Sequence, residues 1–270
     1  MSPTLSRLAS LDDYERWSFS CDAGSWPVYE KGAGPGVVII HEVPGITPEV
    51  ARFGRRVADA GFRAVLPSLF GTPGRPLSAG YAARQVARAC VRREFALLAS
   101  RCSSPITESL RQLCREVHAR QGGPGVGVLG MCLTGNFALS LLADPSVMAP
   151  VLAQPSLPLP LTPGRRSGLH VAPEVLAEAR SRAAGSRFSV LGLRFTGDLL
   201  CPGARFAALS KELGPAFEAV EIPSGPLNAH GIPPLAHSVL TNDLVDVDGH
   251  PTRAALERVL GFFRERLHGA

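Results

Sequence analysis

Gly125-Val126-Gly127-Val128-Leu129-Gly130-Met131-Cys132-Leu133-Thr134-Gly135 is a short apolar run that ends in glycine, then a thiol, then a helical pattern from Asn136 to Ala143. The run reads as a strand buried on both faces. A sharp turn from such a strand into a helix needs small neighbours on either side of the turning residue, and it lifts that residue above the edge of the sheet. Cys132 occupies the apex of this nucleophile elbow, where the aligned amides of the helix start stabilise negative charge. The position two after Cys132 is Thr134, and the glycine that would ease a close approach arrives only at Gly135, so the backbone is expected to sit slightly differently there. The bland alternative is one more buried cysteine; the elbow context favours chemistry. The same stretch also spells GxGxxG, but its glycines lie within the strand and not after it, so no dinucleotide site is implied.

Outward from the elbow, apolar runs alternate with helical periodicity. Val37 to Ile40, Ala64 to Leu66, Ala149 to Leu152, Leu191 to Thr196 and Phe217 to Ile222 read as strands. Between and after them, Glu49 to Ala60, Tyr81 to Ser100, Thr107 to Arg120, Pro173 to Ala184, Ala204 to Leu213 and Thr252 to Leu267 read as helices. This alternation predicts an α/β protein with a mostly parallel central sheet and helices on both faces. Trp17 to Cys21 and Pro27 to Glu30 alternate around Asp22-Ala23-Gly24-Ser25 and predict an antiparallel hairpin. No linker-like stretch interrupts the 270 residues, so one domain over 1–270 is expected, with the hairpin segment 1–35 packed on the same sheet.

Composition narrows the function classes. A hydrophobic share of 45% and a charged share of 19% are those of a globular protein. The formal charge of +5 comes from scattered arginines such as Arg84, Arg88, Arg92 and Arg93 at helical spacing, without a nucleic-acid reading motif. No apolar run is long enough to span a membrane, and Met1 to Trp17 lacks the apolar core of an export signal, so a cytoplasmic location is expected. The six cysteines form no CxxC pair; neither structural zinc nor a disulfide framework is expected, and most are read as small buried hydrophobes. No phosphate-cradling GxxxxGK is present. No cofactor or metal is expected.

A catalytic thiol needs a base, and on strand-helix sheets of this kind the chain order is nucleophile, acid, histidine. The acid candidate is Asp198 in Phe195-Thr196-Gly197-Asp198, at the end of a strand; the competing reading is a cap or turn aspartate. Two histidines compete for the base, His230 and His237, with His237 preferred. His41, His118 and His170 fall outside the required order, and His250 reads as surface. The segment Ile39-Ile40-His41-Glu42-Val43-Pro44-Gly45 ends the first parallel strand, so the backbone N–H groups of Val43 and Leu133 are expected to hold developing negative charge. Glu42 is a carboxylate entering this region, readable either as a site residue or as an ion-pair partner.

Taken in order, these segments resemble the dienelactone hydrolase family from about Gly36 to the C-terminus: a glutamate before the oxyanion residue (Glu42), Gly130-Met131-Cys132-Leu133, Asp198 with Pro202 four residues later, and His237-Ser238. The resemblance implies an α/β-hydrolase fold and hydrolysis of a small-molecule ester or lactone through an acyl-thioester by a triad of Cys132, His237 and Asp198. It further implies that Glu42 gates the thiol between a resting and an active form. The family's carboxylate-binding arginine, four residues after the histidine, is replaced by Thr241, which makes a neutral or larger ester as good an expectation as dienelactone. The competing functions are a ligand-binding protein that keeps the pocket without turnover and a thiol-based redox protein. A monomer or homodimer is expected.

Overall fold

The structure, a computed structural model, describes residues 11–21, 24–91, 105–185 and 188–268. Eight strands form one sheet: β1 (Glu15–Cys21), β2 (Gly24–Lys31), β3 (Gly36–Ile40), β4 (Arg63–Pro67), β5 (Val126–Met131), β6 (Val147–Ala153), β7 (Val190–Phe195) and β8 (Phe217–Ile222), in the order β1-β2-β4-β3-β5-β6-β7-β8. The predicted hairpin is β1 and β2, and β2 pairs antiparallel with β4; from β4 to β8 all neighbours are parallel. Every residue of β3, β5 and β7 is buried, as their continuous apolar runs require, whereas the edge strand β8 alternates.

The helices are α1 (Pro48–Asp59), α2 (Ala79–Val91), α3 (Pro105–Gln121), α4 (Gly135–Ser140), α5 (Pro163–Ser167), α6 (Pro173–Gly185), α7 (Gly203–Leu213) and α8 (Pro251–Leu267). Val50, Phe53 and Val57 of α1 and Val259, Phe262 and Phe263 of α8 bury one face of the sheet. Leu110 and Leu113 of α3, Phe137 of α4, Leu176 of α6 and Phe206 and Leu209 of α7 bury the other. Truncating any of these phenylalanines to alanine costs about 3–5 kcal/mol. The hairpin is tied in by Glu30, 1% exposed, which receives Arg63 at 3.3 Å and Arg120 at 3.1 Å. Its burial is tolerable because two guanidiniums share it.

Two elements differ from the sequence reading. The helix expected from Asn136 to Ala143 stops at Ser140, and Arg182 from α6 donates to the carbonyls of Leu142 and Asp144 just beyond it. The short helix α5 lies between Ala149 to Leu152 and Pro173 to Ala184, where the sequence reading placed no element, and is started by Thr162, whose hydroxyl accepts from Arg165 N–H, with Pro163 next. The helix expected to reach Ser100 is described as far as Val91; the remainder, with Arg92, Arg93 and Cys102, lies outside the described residues. No helix among the described residues is long and apolar enough to cross a membrane.

Candidate active site

The register places the carboxyl ends of four strands in one row. Ile40 of β3 pairs with Gly130 of β5, Met131 of β5 with Ala153 of β6, and Ala153 with Leu193 of β7. The segments that follow, 41–43, 132–134, 154–156 and 196–201, therefore emerge side by side.

Cys132 begins a single 3-10 turn, Cys132–Thr134, between β5 and α4, and its φ of 56° lies in the left-handed region that non-glycine residues rarely adopt. Close packing enforces the turn. A Cβ on Gly130 would sit 2.5 Å from the carbonyl oxygen of Thr134, and one on Gly135 would sit 2.9 Å from Pro155. Thr134 has a use that glycine could not serve. Its buried hydroxyl accepts from Met131 N–H at 3.1 Å and lies 2.9 Å from the Ile40 carbonyl, which it can donate to, so one side chain ties the end of β5 to the end of β3. The elbow is further braced by Ser156, whose N–H donates to the Cys132 carbonyl at 3.0 Å.

Asp198 follows β7 and is 4% exposed. Its two carboxylate oxygens have different partners. Its Oδ1 accepts the N–H groups of Leu200 and Cys201, as a turn aspartate does, while its Oδ2 lies 2.7 Å from His237 Nδ1. That contact leaves Nε2 as the ring nitrogen facing away from Asp198. Nε2 is buried and makes no hydrogen bond of regular geometry among the described residues. Burial, the largest influence on the ring, favours the neutral form. It is outweighed by the electrostatic influence of the neighbouring Cys132 sulfur and by the hydrogen bond to Asp198, so the imidazolium is held well above the usual histidine range. Asp198, His237 and Cys132 thus stand close to one another.

Glu42 is 2% exposed. Its Oε2 accepts Ser238 Oγ at 2.8 Å, and its Oε1 accepts Asn242 Nδ2 at 3.3 Å and the Thr241 hydroxyl. Burial raises the carboxyl above the ordinary range, against the pull of the Thr241 and Ser238 hydrogen bonds. Val43 and Leu133 stand at the ends of the paired strands β3 and β5, so their N–H groups belong to neighbouring segments of the same row.

His230 does not join this group. It is exposed in the turn ordered by Asn228, and its ring meets His250 edge-on at 5.3 Å. His41 is fully buried and bridges two loops: its Nε2 accepts Leu69 N–H at 3.1 Å, which leaves the proton on Nδ1 for the Glu42 carbonyl at 3.0 Å. Burial holds this ring neutral, with a pKa lowered to about 4. Cys114 and Cys201 are buried, and burial pushes both thiols up; Cys132 is only partly buried.

Four contributions escape sequence reading. Asp243 Oδ2 accepts the N–H groups of His237 and Ser238, fixing the histidine turn. Thr241 and Asn242 reach Glu42. Gln154, at φ 38° just beyond β6, is completely buried with neither amide atom partnered among the described residues. Arg205 of α7, 1% exposed, donates to carbonyls of the 155–168 loop. The only advance signal was polarity in otherwise apolar surroundings. No group of three or more His, Cys, Asp or Glu among the described residues could hold a metal ion.

The chain is similar to known proteins at two levels. A family model described as the dienelactone hydrolase family matches residues 27–169, which is more than half of the chain and includes Glu42, Val43, Cys132 and Leu133. Among solved structures, a dienelactone hydrolase assignment from Klebsiella pneumoniae has a TM-score of 0.64 at 16% identity, covering 93% of this chain and 98% of that one. A dienelactone hydrolase from Anabaena variabilis has a TM-score of 0.59 at 17% identity, covering 95% of this chain and 100% of that one. A dienelactone hydrolase-like promiscuous phosphotriesterase from metagenomic libraries has a TM-score of 0.59 at 19% identity, covering 94% and 98%. No curated protein matches the sequence. Such low identities carry the fold alone, and that fold is the α/β-hydrolase fold expected from the elbow and the strand order. With the family match running through the elbow and the β3 loop, the chain belongs to the dienelactone hydrolase family of hydrolases.

Proposed function

We propose that this chain hydrolyses carboxylic esters or lactones through an acyl-thioester on Cys132, with His237 as the proton carrier and Asp198 as its orienting acid. The observation that carries the reading is the pairing of a left-handed elbow cysteine with a histidine whose far nitrogen is held by a buried aspartate at 2.7 Å.

The sulfur of Cys132 attacks the carbonyl carbon, a C–S bond forms, and the π electrons move to the carbonyl oxygen. The Val43 and Leu133 amides receive that oxyanion, which strengthens as charge develops and so lowers the barrier. Collapse breaks the C–O bond, and the imidazolium of His237 gives its Nε2 proton to the leaving alkoxide. A lactone keeps that alkoxide tethered; an ester releases an alcohol. Water then loses a proton to Nε2 as its oxygen adds to the thioester, the C–S bond breaks, and the acid is released with the sulfur again anionic. Asp198 keeps Nδ1 protonated and directed at itself throughout, so that each transfer uses Nε2. Thr241, whose hydroxyl is engaged by Glu42, offers no charge to an anionic substrate, which favours neutral esters over dienelactone.

The test is pre-steady-state hydrolysis of p-nitrophenyl acetate by wild type, Cys132→Ala and Cys132→Ser. A burst followed by turnover in the wild type, absent in Cys132→Ala, is expected. Equal hydrolysis in all three would remove Cys132 from the reaction, and no hydrolysis in any would favour a binding or redox protein.

A further inference from the structure

We propose that the mouth of the site binds a neutral, apolar alcohol group, so that the preferred substrates are esters of alkyl alcohols several carbons long; the inference rests on the ester hydrolysis proposed above. Of the eight exposed large apolar side chains among the described residues, five, Leu161, Leu199, Leu200, Leu227 and Leu235, stand in the three segments that follow β6, β7 and β8. Scattered exposed leucines need no explanation, but a cluster at one end of a sheet marks a binding surface. Charge points the same way. Segments 154–163, 196–202 and 223–237 hold a single Asp, Glu, Lys or Arg between them, the buried Asp198, in a chain of which 19% is charged.

The three segments lie edge to edge. Arg205 joins the first two, its Nη1 donating to the carbonyls of Pro155 at 2.7 Å and Leu200 at 3.1 Å. Gly197 N–H donates to Ser224 Oγ at 2.9 Å, and a Cβ on Gly197 would stand 2.8 Å from the Pro234 carbonyl oxygen, which sets the second segment against the third. Leu199 and Leu200 directly follow Asp198, and Leu235 precedes His237 by two residues. The leucines therefore flank the acid and the histidine. Leu199 is 64% exposed and Leu235 74%, so neither contributes much to the core.

The reaction assigns this flank to the alcohol. His237 Nδ1 faces Asp198, so the leaving oxygen has to reach Nε2 to take its proton. The first alcohol carbon is bonded to that oxygen, and an alkyl chain continuing from it lies among the segments that carry His237 and Asp198. The acyl group stays with the sulfur and turns its carbonyl oxygen to the Val43 and Leu133 amides. Contact between the alkyl chain and the leucines is the same in ground and transition state, so it acts on kcat/KM through KM. A methylene fully withdrawn from water is worth about fourfold, and one lying against an open rim about twofold, so four added methylenes give about 16-fold.

The experiment measures kcat/KM, from the acid released, for methyl, propyl and pentyl acetate, and separately for p-nitrophenyl acetate and hexanoate. The proteins are full-length wild type, Leu199→Ser, Leu235→Ser, the double variant and Val247→Ser. Val247 is exposed next to Asp246, which pairs with Arg56 and Arg253 of α1 and α8, and serves as the control away from the rim. In the wild type kcat/KM should rise about 16-fold from methyl to pentyl acetate, and less than that from p-nitrophenyl acetate to hexanoate. The pentyl-to-methyl ratio should fall to about eightfold in either single variant and about fourfold in the double, and keep its wild-type value in Val247→Ser. A flat alcohol series, an acyl series steeper than the alcohol series, or a ratio that the leucine substitutions leave in place overturns the proposal. So does a wild-type dimer, seen by sedimentation, that the double variant splits, since a second copy would then cover the leucines. Saturation transfer from Cys132→Ala to the alkyl protons of pentyl acetate needs no turnover: transfer weakened by Leu235→Ser supports the rim whatever the nucleophile, and its absence overturns the rim alone. A Cys132→Ala variant that hydrolyses pentyl acetate like the wild type refutes the nucleophile assignment alone.

Discussion

Replacing Arg205 by lysine should destabilise the protein although charge and length are nearly kept. The guanidinium uses all five of its N–H groups, each on a different carbonyl: Nε on Gly168 at 3.2 Å, Nη1 on Pro155 at 2.7 Å and Leu200 at 3.1 Å, Nη2 on Pro158 at 2.5 Å and Arg165 at 3.0 Å. An ammonium has three donors and no planar fork, so at least two of these carbonyls lose their partner. Only the contacts to Pro155 and Pro158 are buried, so at about 1–3 kcal/mol for each buried acceptor left unpaired the loss is about 1–3 kcal/mol when one of them goes and at most about 6 kcal/mol when both do, against the about 5–15 kcal/mol that keeps a domain folded. Four of the five carbonyls lie in 155–168, the stretch that begins at the brace of Ser156 on the elbow, so activity should fall with stability. The assay is urea unfolding followed by the fluorescence of Trp17 and Trp26, with limited proteolysis to map cleavage. A lowered midpoint and faster cutting within 155–168 are expected. An Arg205→Lys variant within about 0.5 kcal/mol of wild type, the range of ordinary surface substitutions, would refute the claim that this guanidinium organises the loop.

The pKa of buried His41 is lowered from 6.5 to about 4, so the unfolded chain takes up its proton first as pH falls. Its contribution is complete above about pH 6.5 and drains away toward pH 4, by about 3 kcal/mol over the whole interval; the acid-side slope of urea stability should flatten in His41→Gln and would be unchanged if the ring were accessible. Gln154→Met removes an unpartnered buried amide without changing volume much and should raise the unfolding free energy by about 1 kcal/mol, read as a higher urea midpoint; a drop of that size would mean the amide has a partner in solution. Asp198→Asn keeps an acceptor for the Leu200 and Cys201 amides but presents an N–H to His237 Nδ1, forcing the other tautomer. Turnover of p-nitrophenyl acetate should fall by about 100-fold or more while circular dichroism stays native, and near-normal turnover would detach Asp198 from catalysis.

Most of the frame was readable because it rests on local signals. Apolar runs buried on both faces, such as Val37 to Ile40, and glycines crowded around Cys132 leave a direct imprint on sequence. Cys132 and Asp198 were singled out for the same reason, each standing just beyond a strand, whereas His237 lies in the loops well past β8 and was singled out by chain order alone. What escaped were contacts between residues far apart in the chain. Thr134 looked like a flaw in the elbow because its hydroxyl partner is the backbone of β3, remote in sequence. Glu42 read equally well as an ion-pair partner because its true partners are hydroxyls and an amide about 200 residues later, with no charge to betray them. Arg205 carried no motif at all, since its partners are carbonyls, which every residue has. The carbonyls just past α4 are met by Arg182, again from another helix.

The central claim, an acyl-thioester on Cys132, is tested most directly by acid-quenching the wild-type enzyme within the burst on p-nitrophenyl acetate and locating the added acetyl group by peptide mass spectrometry. The account predicts one acetyl on the peptide that contains Cys132, removed by hydroxylamine and absent from Cys132→Ala. An acetyl group found on another residue, or none on Cys132 while turnover proceeds, would contradict it.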